Sequence, residues 1–111
     1  MDQNLTLEQR MPVYFLSHGG GPWPYVQGPF RDMMRWLEAS LNDIPSQLPR
    51  TPKAILIASA HWEESAFKVT SSSAPGMVYD FTGFPASTYS AQYTAPGSPE
   101  LAIRITELLD S

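Results

Sequence analysis

The sequence contains no cysteine and only a few basic residues. Without thiols it can form neither a disulfide framework nor a thiolate metal site, so any metal must be bound through nitrogen and oxygen. Seven Lys and Arg against eleven Asp and Glu give a net charge of −4. With this net charge, we do not expect the positive surface on which binding to nucleic acid or to an anionic membrane usually depends. We therefore expect a small-molecule partner, with no nucleic acid and no membrane.

Long apolar runs are also missing. The start of the chain, "MDQNLTLEQRM", is polar and has neither the apolar core of a secretory signal nor a membrane span, so we expect a cytoplasmic protein with a flexible tail over residues 1–10. At 42% hydrophobic and 16% charged residues, the composition is that of a globular protein. Eleven prolines and seven glycines lie mostly between the apolar runs, which predicts long, shaped loops.

Two short apolar runs predict buried strands joined by a helix. Residues 13–16, "VYFL", are rich in strand formers, and residues 54–60, "AILIASA", are apolar with little alternation, as in strands covered on both faces. Between them, apolar residues recur at three- and four-residue steps and predict a helix from about Pro29 to Asp43, ended by Pro45. The order predicts an α/β fold that opens with a β-α-β unit, in a mixed, largely parallel sheet flanked by helices.

Two further elements follow. Residues 66–70, "AFKVT", alternate in polarity and predict a third strand. Ser98 and Pro99 are typical of a helix start, and an apolar stripe predicts a helix from Pro99 to about Leu109. If that stripe is left exposed, self-association is expected.

The only two histidines each follow a predicted strand. Parallel strands end at the same edge of a sheet, so His18 and His61 are expected to converge there and to share one metal ion. Neutral imidazole suits zinc, copper and iron. The alternative for either residue alone is a structural histidine, which is the commoner case.

Acidic and aromatic residues provide further candidates. Glu63, Glu64 and Asp80 can complete a metal site, although each is more often a solvated surface acid. Of the three, Asp80, between Tyr79 and Phe81, is the best candidate for a buried role, in which it would hydrogen-bond the backbone or orient a metal ligand. The aromatic rings of residues 79–93 either stack a planar ligand or, as is commoner, fill the core beneath long loops.

The glycine run "HGGGPWP" does not match a nucleotide site. Proline interrupts it and no lysine follows, so the pattern disfavours a phosphate cradle. A tight turn explains Gly19, whereas three glycines in succession indicate close approach of the backbone to another group. Ser17 and His18 are adjacent and would point to opposite faces of a strand, which disfavours a nucleophilic triad.

Four ordered blocks carry a family resemblance: "PVYFLSHGGGPWPY", "PKAILIASAHWEE", "GMVYDFTGFP" and "YTAPGSPELAIRITELL". Together they resemble the N-terminal part of the DODA-type extradiol ring-opening dioxygenases, the DOPA 4,5-dioxygenase-like members of the class III, or LigB-like, superfamily. The resemblance implies that residues 11–111 are the N-terminal portion of a catalytic domain. Many relatives have "YDFYGFP" where this chain has Thr82 in place of the second tyrosine.

The resemblance implies a site and a reaction. His18 and His61 would bind a divalent metal, Fe(II) for turnover or Zn(II), and the enzyme would open the ring of a catechol-like substrate with dioxygen. The family's other metal-binding and acid/base histidines lie in a C-terminal half that this sequence does not include, so no catalytic residue is assigned.

Candidate substrate-binding residues are Gly20, Gly21, Tyr79 and Phe81. Two other functions stay open, a non-catalytic metal- or ligand-binding module of the same superfamily and a zinc-dependent hydrolase. Oxygen uptake and a yellow ring-opened product distinguish the dioxygenase from both.

Overall fold

Helices are the regular elements of the computed structural model, which describes residue 6 and residues 9–110. Helix α1 spans Pro29–Met33, α2 spans Arg35–Gln47 and α3 spans Pro99–Leu109, and two short 3-10 helices lie at Trp23–Tyr25 and Ala86–Ser90. Most of the predicted tail over residues 1–10 lies outside the described residues. None of the described helices is both long and apolar enough to cross a bilayer.

The chain divides into two compact units, Met1–Ile55 and Leu56–Ser111. The first unit contains α1, α2 and the first 3-10 helix, together with His18. The second contains the other 3-10 helix and α3, together with His61. The two predicted metal ligands therefore belong to different units.

The predicted sheet is wrong. Over residue 6 and residues 9–110 there is no β-strand, so neither the β-α-β unit nor the mixed, largely parallel sheet is present. Residues 13–16, 54–60 and 66–70 carry the side-chain patterns of strands but are irregular chain. A strand exists only when its N–H and C=O groups pair with a neighbouring strand, and the apolar pattern cannot supply that neighbour. Their side chains are correspondingly exposed, with Phe15 fully accessible and Ile57 75% exposed.

The helix predicted between Pro29 and Asp43 is present but divided and longer. The backbone of Met34 leaves helical geometry at φ −95° and ψ 5°, which separates α1 from α2. Pro45 lies inside α2 instead of ending it, and the helix continues to Gln47. Pro45 has no N–H to donate to the carbonyl of Leu41 four residues earlier, so α2 continues through this position with one backbone hydrogen bond fewer.

The predicted apolar face of these two helices is largely correct. Its half-buried members are Phe30, Met34, Leu37, Leu41 and Ile44. Met33 departs from the pattern and is 76% exposed.

Helix α3 confirms the prediction made from its local signals. Ser98 is the N-cap residue, and its side-chain oxygen accepts a hydrogen bond from the backbone N–H of Leu101 at 3.2 Å. Pro99 occupies the first turn, and Ala102 is buried. The start of this helix is thus specified by residues next to it in the chain.

Candidate functional site

His18 is held at both its main chain and its ring. Its Nδ1 lies 2.9 Å from the carbonyl oxygen of Gly19, which can only accept a hydrogen bond. Nδ1 therefore carries the proton, and in the neutral ring Nε2 has the lone pair. The carbonyl oxygen of His18 itself accepts a hydrogen bond from the indole Nε1 of Trp23 at 2.6 Å. The peptide that carries His18 is thereby fixed against a buried ring.

Another group approaches the backbone of the glycine run closely at Gly19, the position for which the sequence predicted only a tight turn. Its φ is +78°, a conformation that favours glycine, and a Cβ there would lie 2.6 Å from Nε1 of Trp23 and 3.0 Å from Cδ2 of Leu37. Gly20 differs, because a Cβ added to it would meet no heavy atom within 4 Å. A glycine is required next to His18 because the Trp23 ring packs directly on the backbone of Gly19.

Trp23 is in turn anchored by Arg31. The indole is only 4% exposed, and the guanidinium carbon of Arg31 lies 6.0 Å from the ring centroid. Arg31 donates through Nη1 to the carbonyl of Pro24 at 2.6 Å. It also donates to both carboxylate oxygens of Glu38, at 2.6 Å from Nη2 and 3.2 Å from Nε, and this hydrogen-bonded pair raises the pKa of Arg31. Arg31 therefore links α1, α2 and the 3-10 helix that carries Trp23.

In the second unit, the ring of His61 is bonded to Asp80. His61 Nδ1 lies 2.7 Å from Oδ2 of Asp80, and the backbone N–H of His61 donates to Oγ of Ser59 at 3.0 Å. Since a carboxylate oxygen accepts, Nδ1 carries the proton and Nε2 of the neutral ring has the lone pair. The two side chains are about half exposed, at 55% and 46%. Both predicted ligands thus adopt the same tautomer.

The residues on either side of Asp80 belong to an aromatic cluster, which consists of Tyr79, Phe81, Phe84 and Tyr89. The rings of Phe81 and Phe84 are edge-to-face at 5.6 Å between centroids, and Phe81 and Tyr89 are tilted at 4.9 Å. The hydroxyl of Tyr89 also donates to the carbonyl of Phe81 at 3.2 Å. These contacts fit the interpretation that the rings fill the space beneath the loops.

The candidate substrate residues are distributed over both units. Gly20 and Gly21 lie in the first unit, where Gly21 has φ +56°. Tyr79 and Phe81 lie in the second, where Tyr79 donates its hydroxyl to the carbonyl of Ala91 at 2.5 Å. A substrate-binding role for the four residues stays a prediction.

The candidate carboxylates Asp80 and Glu64 have different partners. Asp80 contacts the ring of His61, but its side chain is 46% exposed, so the buried role expected of it is wrong. Glu64 instead accepts a hydrogen bond from the indole of Trp62 at 3.0 Å and lies 3.4 Å from Nζ of Lys68. No group of three or more His, Asp or Glu side chains forms a metal cage within the described part of the chain. The Arg31 network was not anticipated from the sequence, and the one available signal was the tryptophan bracketed by prolines.

Comparison with known proteins then identifies relatives. The chain is 49% identical over 96 residues to the 4,5-DOPA dioxygenase extradiol of Portulaca grandiflora and 43% identical over 97 residues to that of Beta vulgaris. It is 40% identical over 100 residues to the protein of the same name in Escherichia coli. These matches include 86%, 87% and 90% of this chain, respectively.

The matches cover only part of the length of each relative. The chain spans about a third of the length of these curated proteins, 34% in each case. No protein-family model matches the chain, and no solved structure matches it. The resemblance seen in the four sequence blocks is confirmed by the relatives: this chain is related, over most of its length, to about one third of a DODA-type extradiol dioxygenase.

Proposed function

We propose that this chain is part of a metal-dependent extradiol dioxygenase that opens the ring of a catechol-like aromatic compound with dioxygen. The observation that carries the proposal is the identity of 40–49% to proteins named 4,5-DOPA dioxygenase extradiol. A DOPA-like catechol is the substrate class that those names suggest. Dioxygen is the co-substrate.

We further propose that His18 and His61 are metal ligands. Each ring uses Nδ1 as a donor to an oxygen, so each has its lone pair on Nε2, the form in which imidazole binds a metal. An imidazole in this form suits Fe(II) or Zn(II). When bound, such an ion would supply open coordination positions for catecholate and dioxygen and would stabilise developing negative charge.

This chain's own residues hold and orient the ligands. The Gly19 carbonyl holds the ring of His18, and the Trp23 indole holds its main chain. Asp80 accepts a hydrogen bond from Nδ1–H of His61. Two imidazoles are fewer than the three protein ligands that catalytic sites commonly use. We assign neither a third ligand nor an acid/base group to this chain.

Metal binding provides the first test. The chain is loaded with Fe(II) under anaerobic conditions or with Zn(II), and bound metal is measured by elemental analysis after gel filtration. His18→Ala and His61→Ala should each abolish tight binding, whereas Gln27→Ala, an exposed residue of the first unit, should retain it. Unchanged stoichiometry in either histidine variant would refute that ligand.

Ring opening provides the second test. Oxygen consumption and visible absorbance are followed with DOPA and a panel of other catechols, using the Fe(II)-loaded protein. Uptake of one dioxygen per catechol together with a yellow product supports the dioxygenase. Tight metal binding without oxygen uptake supports instead the non-catalytic binding module.

Cytoplasmic location and self-association stay predictions. Equilibrium sedimentation tests self-association directly, because a monomer mass at high protein concentration would contradict it.

A further inference from the structure

We propose that Asp80 is a positioning residue for His61: by accepting a hydrogen bond from Nδ1–H it fixes the tautomer and the direction of the ring, so that Nε2 is presented to a metal. The inference rests on the proposed function in so far as it concerns the metal. The placement of the Nδ1 proton can be tested in the metal-free protein.

The contact has the geometry of a charge-assisted hydrogen bond. The distance of 2.7 Å between Nδ1 and Oδ2 is at the short end of the range for a nitrogen donor and a carboxylate. Metal-binding histidines in proteins commonly donate their second ring nitrogen to a carboxylate or a carbonyl, which sets the ring orientation and raises its basicity. His18 uses the carbonyl of Gly19 in this way, and His61 uses a side chain 19 residues further along the chain.

Asp80 is itself held from both sides. On one side, the hydroxyl of Tyr79 donates to the carbonyl of Ala91 and accepts from Nε2 of Gln92 at 3.2 Å. On the other side, the carbonyl of Phe81 accepts from Tyr89, and the Phe81 ring packs in the aromatic cluster. The backbone that carries the carboxylate is therefore anchored at the preceding and the following residue.

The position of His61 is also fixed through its own main chain, because its N–H donates to Oγ of Ser59. The His61 and Asp80 side chains themselves are half exposed. A pair so accessible to water contributes little to folding stability. The pair therefore sets the direction of the His61 ring and adds little to folding stability. This distinguishes a positioning role from a purely structural one.

The experiment compares Asp80→Ala and Asp80→Asn with the unaltered protein and with Glu107→Gln. The last variant is the matched control, since it removes one carboxylate from the same unit, where Glu107 lies 3.9 Å from Arg104. Long-range proton–nitrogen NMR spectra of the metal-free protein report which ring nitrogen of each histidine is protonated. Zn(II) affinity is measured by competition with a chromophoric chelator.

In the unaltered protein and in Glu107→Gln, the spectra should show the proton of His61 on Nδ1. Asp80→Ala should shift the His61 signals towards the Nε2-protonated form and weaken Zn(II) binding about tenfold or more. Asp80→Asn, which keeps an acceptor oxygen, should lie between the two. The signals of His18 should stay unchanged in all variants and serve as an internal control, and the thermal midpoint should change little.

Two outcomes overturn the inference. One is an unchanged His61 tautomer in both Asp80 variants, and the other is a Zn(II) affinity in both that stays within about twofold of the unaltered protein. In either case the proposed function stands if His61→Ala still loses the metal. If the unaltered protein binds no Zn(II), the two histidines do not form a metal site in this chain by themselves, while the NMR comparison still decides whether Asp80 places the proton. Should Asp80→Ala lose its fold, Asp80→Asn supplies the comparison.

Discussion

The indole of Trp23 donates a hydrogen bond to the backbone carbonyl of His18 at 2.6 Å, across the turn that Gly19 makes. Trp23 is buried, whereas the His18 side chain is exposed. A rigid ring thus holds the main chain of an accessible imidazole. This combination lets a surface histidine keep one direction without being buried.

Substitution of Gly19 should be costly, and substitution of Gly20 should not. In Gly19→Ala the residue would have to keep φ near +78°, and its Cβ would collide with Trp23, so we expect a loss of about 1–3 kcal/mol in the free energy of unfolding. Gly20→Ala meets no atom within 4 Å, and its φ is not positive, so its effect should stay below about 1 kcal/mol. Urea unfolding followed by tryptophan fluorescence measures both, and equal losses would contradict the proposed packing.

A second close approach is predicted at Gly97. A Cβ at this position would overlap the carbonyl oxygen of Ser72, and the Gly97 N–H donates to the carbonyl of Ser73 at 3.0 Å. Gly97→Ala should therefore destabilise the second unit by about 1–3 kcal/mol, because backbone atoms have to move. Gly76→Ala is the control, since no atom lies within 4 Å of the added Cβ. Hydrogen exchange of the α3 amides locates the effect, and protection equal to that of the control would argue against it.

The N-cap of α3 can be tested with a conservative pair. Ser98→Ala removes the acceptor of the Leu101 N–H and should cost about 1 kcal/mol, seen as a fall of a few degrees in the thermal midpoint. Ser98→Asp keeps a capping oxygen and should retain stability. Circular dichroism at increasing temperature checks both. A fall of the same size in both variants would show that the cap does not stabilise the helix.

The end of α2 should respond to pH through Asp43. Hydrogen bonds from Gln47, at 2.9 Å, and from Ser46, at 3.1 Å, lower the pKa of the Asp43 carboxyl. Because the pKa is lower in the folded chain, the stabilisation is complete above the ordinary carboxyl pKa and is lost as the pH falls through the lowered value.

Replacement of Gln47 should move that titration. Gln47→Met removes the larger cause and should raise the pKa of Asp43 towards its ordinary value, as measured by carbon-13 NMR titration of the carboxyl group. Tyr14→Phe is the control, because it removes the 3.1 Å bond from the Tyr14 hydroxyl to the side-chain oxygen of Gln47 and leaves the amide bond to Asp43 in place. If Gln47→Met left the Asp43 titration unchanged, the Gln47 amide would not be what lowers this pKa.

Features encoded by neighbours in the chain were predictable. Ser98 and Pro99 precede an apolar stripe at helical spacing, and α3 begins where they indicate. The apolar spacing after Pro29 likewise predicted helix, although the break at Met34 and the continuation through Pro45 were missed. The continuation through Pro45 costs the hydrogen bond that proline cannot donate, and apolar spacing alone does not show whether the surrounding turn tolerates that loss.

Features that need a partner elsewhere in the chain were not predictable with the same certainty. The runs at 13–16 and 54–60 have strand composition, yet they form no strand in the described structure, since a strand requires a paired neighbour. The Arg31 and Glu38 pair is another example, because a charge spacing of seven residues does not show that a break at Met34 will bring the two groups together.

The sequence by itself determined that helix follows Pro29 and Ser98, the relation to extradiol dioxygenases and the identity of the two histidines, because these depend on residue type and on near neighbours. The tertiary structure decided that the apolar runs form no strands in the described chain, that Trp23 packs on Gly19, and that Asp80 meets the ring of His61. The physical reason is that hydrogen bonds and ring contacts between distant residues depend on where the backbone places their atoms. Residue spacing constrains that placement only within a turn or a helix.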